Sequence, residues 1–95
     1  MPRYIIERNV PGLRDLSPEE LREELNKGGK NSNAVLAGMP GVVWIRSYVS
    51  AVEGKIYCEY EAPNPEMVLE HARRAGVPAD KISEVAIEIS PDMFV

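Results

Sequence analysis

The sequence predicts an α+β domain whose elements follow the order β-α-β-β-α-β. Four runs are rich in β-branched and aromatic residues, two other runs carry helix-capping residues, and a chain of 95 residues fits one domain over residues 1–95. This order is the split βαβ, or ferredoxin-like, arrangement, in which both helices lie on one face of the sheet. The other face must then meet water, a ligand or a second subunit.

The first strand and the first helix have clear boundaries. "RYIIERN", Arg3–Asn9, is the first predicted strand, and Pro11 ends it. A helix start follows, with Ser17 as N-cap, Pro18 at the first helical position and Glu20 three residues after the cap.

The two adjacent glycines, Gly28 and Gly29, are expected to break or fray this helix, because glycine is a poor helix former. A second helical piece would resume over residues 31–38. A hairpin of two strands follows over residues 42–50 and 55–62.

The second half of the chain supplies the remaining helix and strand. Asn64 caps the second predicted helix, Pro65 occupies its first position, and Gly76 lies past its end. The last strand is predicted over residues 81–90.

Alternation along the hairpin sorts its side chains onto two faces. A turn centred on Val52 and Glu53 predicts one face that contains the pairs Tyr48–Tyr57, Arg46–Glu59 and Trp44–Glu61. The other set is more apolar and is expected to face the helices: Val43, Ile45, Ser47, Val49, Ile56, Cys58, Tyr60 and Ala62.

The first set is the candidate for the open face of the sheet. Glu7, Glu84 and Glu88 join it if the apolar residues of the outer strands, Ile6, Val85, Ile87 and Ile89, point inward. Such a face is either a solvated surface with cross-strand charge pairs or a pocket or dimer face, because a Trp beside two Tyr is unusual on a free surface. The candidate residues for the pocket or dimer face are Glu7, Trp44, Arg46, Tyr48, Tyr57 and Glu59.

The single cysteine and the single histidine are candidates for a metal site. Val68, His71, Ala72 and Ala75 follow the spacing of a buried helix face, so His71 points toward the layer that holds Cys58. A transition-metal site normally needs three or four ligands, and the adjacent Glu70 is the candidate for a third. The alternative is a buried thiol and a hydrogen-bonded ring that only fill space.

Composition and motifs exclude several classes of function. The net charge of −4 disfavours a nucleic-acid partner, and no apolar run is long enough for a membrane span or a signal peptide. One cysteine fits a reducing compartment, so we expect a cytoplasmic protein. Motifs for catalysis, nucleotides or organic cofactors are absent, and a Cys–His nucleophile pair would lack a third orienting group. We therefore assign no catalytic residue, and the sequence identifies no protein partner.

Long stretches of the chain resemble a family of small bacterial proteins of unknown function whose described members bind nickel. The resemblance lies in "PRYIIER", "LSPEEL", "SNAVL", "VVWIRSYVS" and "KIYCEYEAPNPEMVLEHARRAGVPADKISEV". It implies a ferredoxin-like fold, a homodimer whose sheets face each other as a dimeric α/β barrel, and nickel or another divalent transition metal. Where family members commonly read W-x-H-S-Y-V, this chain has "WIRSYV". Arg46 therefore replaces an imidazole, and it has no lone pair to give a cation.

Three functions remain open at this point. The first is a homodimeric, nickel-binding-like protein that uses Cys58, His71 and a nearby carboxylate. The second is a dimeric ligand-binding protein or enzyme with a pocket between the two sheets, a function that rests on fold analogy. The third is a dimeric interaction module with no small ligand.

Overall fold

The computed structural model describes residues 1–95 and confirms the predicted order of strands and helices. The elements are β1 Arg3–Asn9, α1 Pro18–Leu36, β2 Val43–Ser50, β3 Lys55–Glu61, α2 Pro65–Ala75 and β4 Lys81–Glu84. Short 3₁₀ turns occupy Pro11–Asp15 and Pro91–Phe94. Neither α1 nor α2 combines the length and the apolar character that a membrane span requires.

The four strands form one antiparallel sheet in the order β2-β3-β1-β4. Both helices lie against the face that carries Tyr4, Ile6 and Tyr60, and we call it the covered face. The opposite face, which carries Arg46, Tyr48 and other polar residues, is the open face. This α+β arrangement is consistent with the predicted ferredoxin-like fold.

The core fills the space between the covered face and the helices. Its largest fully buried side chains come from two strands and from α2, which shows that α2 packs closely on the sheet. The buried cluster consists of Tyr4, Ile6, Met39, Val42, Cys58, Tyr60, Ala62 and Val68. The burial of such apolar surface is the main source of the stability of the fold.

Both helices begin at the predicted capping residues. The Ser17 hydroxyl accepts a hydrogen bond from the Glu20 amide at 3.1 Å, and the Glu20 carboxylate accepts one from the Ser17 amide at 2.9 Å. The Asn64 side chain accepts a hydrogen bond from the Met67 amide at 3.0 Å. At its other end, α2 stops at Gly76, whose φ of 69° lies in the left-handed region that glycine tolerates.

The predicted break at Gly28 and Gly29 is wrong, because α1 runs through both glycines without interruption. Glycine costs about 1 kcal/mol per helical position relative to alanine, and tertiary packing commonly outweighs such a preference. Contacts on the far side of the glycines hold α1 against α2. There the Asn31 side chain donates a hydrogen bond to the Ala75 carbonyl at 2.8 Å, and Ser32 is buried.

The hairpin between β2 and β3 has the predicted register near its turn. Tyr48 pairs with Tyr57 and Arg46 pairs with Glu59, and all four lie on the open face. The turn itself depends on Gly54, which has a φ of 65°.

Farther from the turn, a β-bulge changes the register of β2. Trp44 pairs with Tyr60 instead of the predicted Glu61, and Ile45 has no partner. Because one extra residue reverses the alternation of side chains, Trp44 lies on the covered face, and its predicted place on the open face is wrong. Val43 moves the opposite way: it pairs with Glu61 and is 47% exposed, although it was predicted to face the helices.

The last strand is shorter than the predicted range of residues 81–90, because it pairs only with part of β1. The final contact is a hydrogen bond of 2.8 Å from the Val85 amide to the Arg3 carbonyl, and β1 begins at Arg3. The chain beyond Val85 therefore has no strand edge left to pair with.

The side chains of β4 have the opposite alternation from the predicted one. Glu84 pairs with Tyr4 and Ile82 with Ile6, so Glu84 lies on the side of the covered face. Its predicted place on the open face is therefore wrong. Ile87 and Ile89 were predicted to point inward, but both are exposed, because they lie beyond the paired part of the sheet.

Candidate functional site

A buried arginine lies on the covered face, near the end of β1. Arg8 is 4% exposed and donates three hydrogen bonds: from Nε to Cys58 Sγ at 3.4 Å, from Nη1 to the Pro78 carbonyl at 2.6 Å and from Nη2 to the Tyr60 hydroxyl at 3.5 Å. Its Cζ lies 5.8 Å from the centre of the Tyr60 ring. No carboxylate oxygen lies within 4.0 Å of its guanidinium. A buried cation is thus held by neutral groups alone, although buried charges usually have a charged partner.

His71 is fully buried beside this cluster, with its ring 5.4 Å from that of Tyr60. The Nε2 atom lies 3.4 Å from the Ser32 carbonyl oxygen, so a neutral ring donates its proton there. The Nδ1 atom is then a buried acceptor without a partner. Burial lowers the pKa of His71, and the positive charge of Arg8 lowers it further, while the hydrogen bond to Ser32 acts in the opposite direction. The imidazole is therefore neutral at pH 7.

Tyr60 connects the arginine, the histidine and Trp44. Its ring stacks on that of Trp44 with 6.5 Å between the ring centres and 13° between the planes. The Trp44 indole N–H donates a hydrogen bond to the Ser47 hydroxyl at 2.9 Å. Burial raises the pKa of Tyr60, while the nearby Arg8 charge lowers it in part. The phenol stays protonated and accepts the hydrogen bond from Arg8.

The third predicted metal ligand, Glu70, lies away from this cluster. Its carboxylate accepts hydrogen bonds from Arg73 at 2.8 and 2.6 Å and from Arg74 at 2.7 Å, and its side chain is 30% exposed. These bonds, those from Arg73 first, lower the pKa of Glu70 to about 2. Glu70 is therefore occupied by two arginines on the surface of α2, whereas His71 on the same helix is buried.

The residues of one chain do not fit a nickel centre. No group of three or more His, Cys, Asp or Glu side chains lies close enough to hold a metal ion. The Cys58 sulfur accepts a hydrogen bond from a guanidinium, whose positive charge opposes the approach of a metal cation. The unpartnered Nδ1 of His71 is one suitable donor, but a stable site needs several.

The open face carries a network of ion pairs. The Glu59 carboxylate lies 3.2 Å from Arg3 Nη1 and 3.4 Å from Arg46 Nε, and Lys55 Nζ lies 3.4 Å from Glu7. The structure therefore places five of the six predicted pocket or dimer-face residues on this face: Glu7, Arg46, Tyr48, Tyr57 and Glu59.

The two tyrosines of the open face differ in their exposure to solvent. Tyr48 is 65% exposed, and Tyr57 is partly buried and donates a hydrogen bond to Glu53 at 3.4 Å. Desolvation raises the pKa of Tyr57, and the charge of Glu53 raises it further. The Tyr57 phenol is therefore neutral near pH 7.

Position 46 and the thiol lie on opposite sides of the sheet. Arg46 pairs with Glu59 on the open face, while its neighbour Ser47 pairs with Cys58 on the covered face. One metal ion therefore cannot be bound by residue 46 and by Cys58 of the same chain.

A cavity of about 440 Å³ separates α1 from the covered face. Arg8, Cys58 and Tyr60 line it from the sheet, Gly28 and Gly29 line it from α1, and residues 76–78 close one side. A second hollow is lined only by residues of α1 between 19 and 26. Neither hollow lies on the open face of the single chain.

Sequence reasoning did not single out Arg8, although the signal was present. Tyr4, Ile6 and Arg8 alternate along β1 and therefore share one face, so the inward direction of Ile6 implied an inward arginine. The prediction used the alternation of β1 to place Ile6 and Glu7 and did not extend it to Arg8.

The fold and these contacts define a small α+β protein with one covered and one open sheet face. The chain belongs to the family described as nickel responsive protein SCO4226-like, which matches residues 4–85. The crystal structure of SCO4226 from Streptomyces coelicolor A3(2) superimposes with a TM-score of 0.74 at 24% sequence identity. The match covers 92% of this chain and 99% of that one, and it shows a shared fold. No curated protein matches the chain.

Proposed function

We propose that this chain acts as a homodimer that binds nickel or a similar divalent transition metal weakly, with the open face as the dimer interface. The match of residues 4–85 to a family of nickel responsive proteins is the observation that carries the metal-related role. The low affinity follows from the donor residues, which do not form a complete site within one chain.

The exposed residues of the open face support the dimer. Tyr48 is 65% exposed and Val43 47% exposed, and they lie on either side of the ion pair between Arg46 and Glu59. A two-fold interface brings the same patch of both copies together, so it requires a self-complementary surface. A face with alternating acids and bases beside an exposed tyrosine meets that requirement.

Light scattering after size-exclusion chromatography tests the dimer. The wild type is expected at twice its 10.6 kDa, and Tyr48→Glu is expected at the monomer mass, because the new carboxylate would be buried beside its own copy. Leu69→Glu is the matched control, since Leu69 is 49% exposed on α2. A wild type that is monomeric throughout, or a control that dissociates equally, would contradict the proposed interface.

We propose that the residue at position 46, on the open face, controls the affinity for the metal ion. The resemblance to nickel-binding relatives gives histidine at this position, and here arginine takes it. Arg46 cannot donate a lone pair, and together with Arg3 it occupies the Glu59 carboxylate, the nearest oxygen donor. Both effects lower the affinity for a cation.

Calorimetric titration with nickel chloride tests this placement. Arg46→His is expected to bind nickel about tenfold more tightly than the wild type, or about 1.4 kcal/mol. Arg46→Lys keeps the charge without a free donor and should show no gain, and Cys58→Ser should leave the isotherm unchanged. Equal affinities of the wild type and Arg46→His, or loss of binding in Cys58→Ser, would contradict the proposal.

A further inference from the structure

We propose that the cavity between α1 and the covered face binds a small carboxylic acid with an apolar body, and that Arg8 binds its carboxylate. This inference does not depend on metal binding or on the dimer. It rests on three features of the cavity: a buried cation without an acid, an apolar wall that is not covered by protein, and a helix that leaves space instead of filling it.

The first feature is the unbalanced charge of Arg8, which lines the cavity. A guanidinium has five N–H donors, and its three hydrogen bonds go to a thiol, a carbonyl and a phenol, all of them neutral. Glu24 is the one acidic residue among the lining residues, and its carboxylate pairs with Lys27 at 3.8 Å. Arginine stays protonated, and its planar fork matches a carboxylate. A single buried positive charge favours a monoanion.

The second feature is apolar surface on the covered side that remains open. Val49 pairs with Ile56 on the covered face, yet Val49 is 39% exposed and Ile56 only partly buried, because the cavity lies above them. Apolar side chains from the sheet, from α1 and from the two loops at its rim line the space: Leu13, Leu25, Trp44, Val49, Ile56 and Val77. An alkyl chain or ring placed here would cover this surface.

The third feature is the pair of glycines in α1. A Cβ added to Gly28 would meet no atom within 4 Å, and one added to Gly29 would approach only the Trp44 ring, at 3.6 Å. Any residue other than proline would improve the helix, because glycine is the weakest helix former after proline. Gly29 is the glycine that faces the sheet, and the absence of a side chain there keeps the space between α1 and the Trp44 ring open.

The size and the polarity of the cavity fit such a ligand. Its volume of about 440 Å³ falls within the range of about 300–1,000 Å³ that is typical of small-molecule sites. Mostly apolar walls with a few polar groups at one place are also typical of such sites. Here the polar groups are the Arg8 guanidinium, the Cys58 thiol and the Tyr60 hydroxyl, and the rest of the wall gives no reason for a second charge on the ligand.

The test is a titration of the full chain with octanoate, followed by calorimetry and by the fluorescence of its single tryptophan, Trp44, which lines the cavity. Octanoate is expected to bind saturably with a Kd below about 1 mM and to change the Trp44 emission. Octanol and octyl phosphate are expected to bind about tenfold more weakly, because one lacks the charge and the other carries more charge than a single guanidinium balances.

Two variants and one control assign the binding to the cavity. Arg8→Met replaces a buried charge without an acidic partner by an apolar residue, so it should fold and prefer octanol over octanoate. Gly29→Leu should place a side chain in the cavity beside Trp44, strengthen α1 and abolish the binding of octanoate. Asn33→Leu is the matched control on an exposed position of α1 and should bind octanoate as the wild type does.

Several results would overturn the proposal. Absence of saturable octanoate binding by the wild type would remove the site, and equal binding of octanol would remove the role of Arg8. Tighter binding of octyl phosphate would replace the carboxylate by a phosphate ligand. Undiminished binding in Gly29→Leu would place the ligand outside the cavity.

Discussion

The two faces of this sheet hold their charged groups in different ways. On the open face, Arg3, Arg46 and Lys55 each lie within 4 Å of a carboxylate. On the covered face, Arg8 is buried and contacts only neutral groups beside a cavity. The open-face carboxylates Glu7, Glu59 and Glu61 are therefore each paired with a cation, whereas the covered face has a cation that lacks an anion. A small ligand is therefore expected on the covered face and a second subunit on the open face.

The largest expected effect comes from a pair of neighbours on β1 that point to opposite faces. Ile6 is fully buried on the covered face, and Ile5 is partly exposed on the open face. Ile6→Ala should lower the free energy of unfolding by about 2–5 kcal/mol, because it leaves a cavity in the core. Ile5→Ala should cost less than about 1 kcal/mol at low protein concentration.

Urea denaturation of both variants measures this difference. Equal losses in the two variants would show that the open face is as closely packed as the covered face. The two faces of the sheet would then not differ in their packing.

Much of the fold follows from the sequence, because its signals are local. The caps at Ser17 and Asn64 and the turn at Gly54 depend on residues a few positions apart. The bulge at Ile45 depends instead on the distant packing of Trp44 against Tyr60, so alternation alone placed Trp44 on the wrong face. A short-range pattern cannot reveal an extra residue in a strand.

The turn glycine of the hairpin, Gly54, provides the next test. It contacts residues 10 and 11, and Val10 lines the cavity. The Gly54 carbonyl accepts a hydrogen bond from the Val10 amide at 2.7 Å, and a Cβ at Gly54 would lie 2.8 Å from the Cα of Pro11. Gly54→Ala should therefore cost more than about 2 kcal/mol, because a steric clash adds to left-handed strain of about 1–2 kcal/mol.

Gly76→Ala is the matched control for Gly54→Ala. Gly76 has a similar φ of 69°, but a Cβ there would meet no atom within 4 Å. The control should show only the backbone strain, of about 1–2 kcal/mol. Thermal unfolding that shows equal losses for both glycines would contradict the close packing of the rim.

The single histidine makes the covered face sensitive to pH. Burial lowers the pKa of His71 below its ordinary value, so the unfolded chain binds a proton at a higher pH than the folded chain does. The contribution of His71 to stability is therefore complete above about pH 6.5 and is lost as the pH falls through that value toward the folded pKa.

His71→Gln separates this effect from other titrations. The free energy of unfolding of the wild type should fall between about pH 7.5 and about pH 5.5, and the slope should be smaller in the variant. Identical slopes would mean that the His71 ring is accessible to water and to protons in the folded chain.

A smaller effect is expected from the ion pairs of the open face. Glu59 contacts Arg3 and Arg46, and the side chain of Arg46 is 61% exposed. Glu59→Gln should lower the stability of the monomer by less than about 1 kcal/mol, because solvent screens such pairs. Urea denaturation at low and at high salt measures this difference. A loss above about 2 kcal/mol would place Glu59 among the buried charges.

The smallest effect is expected on the outer surface of α2. Glu70→Gln removes the carboxylate that Arg73 and Arg74 contact, and it should lower the melting temperature only slightly. The lowered pKa of Glu70 means that this contribution is present above pH 4.5 and is lost as the pH falls toward about 2.

Glu70→Gln also tests Glu70 as a metal ligand. The nickel isotherm of the variant should match that of Glu66→Gln, a control in the first turn of the same helix. Weaker nickel binding in Glu70→Gln alone would make Glu70 a metal donor, contrary to its pairing with two arginines.

The candidate site was less predictable than the fold, for a physical reason. The spacing of residues in α2 correctly predicted a buried His71, and alternation correctly predicted a buried Cys58. Neither pattern contains the distance between two elements, so neither could show that Glu70 pairs with arginines or that Gly28 and Gly29 leave a cavity. The role of Arg8 depends on the absence of an acid around it, which only the packed structure reveals.

The most direct test of the difference between the two faces is a ¹H–¹⁵N NMR titration of the wild type with octanoate. We predict shifts at the amides that line the cavity, such as Gly28, Gly29 and Val77, and none at Arg46, Tyr48 or Tyr57 on the open face. Shifts confined to the open-face amides would contradict this prediction, because they would place the small-ligand site on the side that we assign to the second subunit.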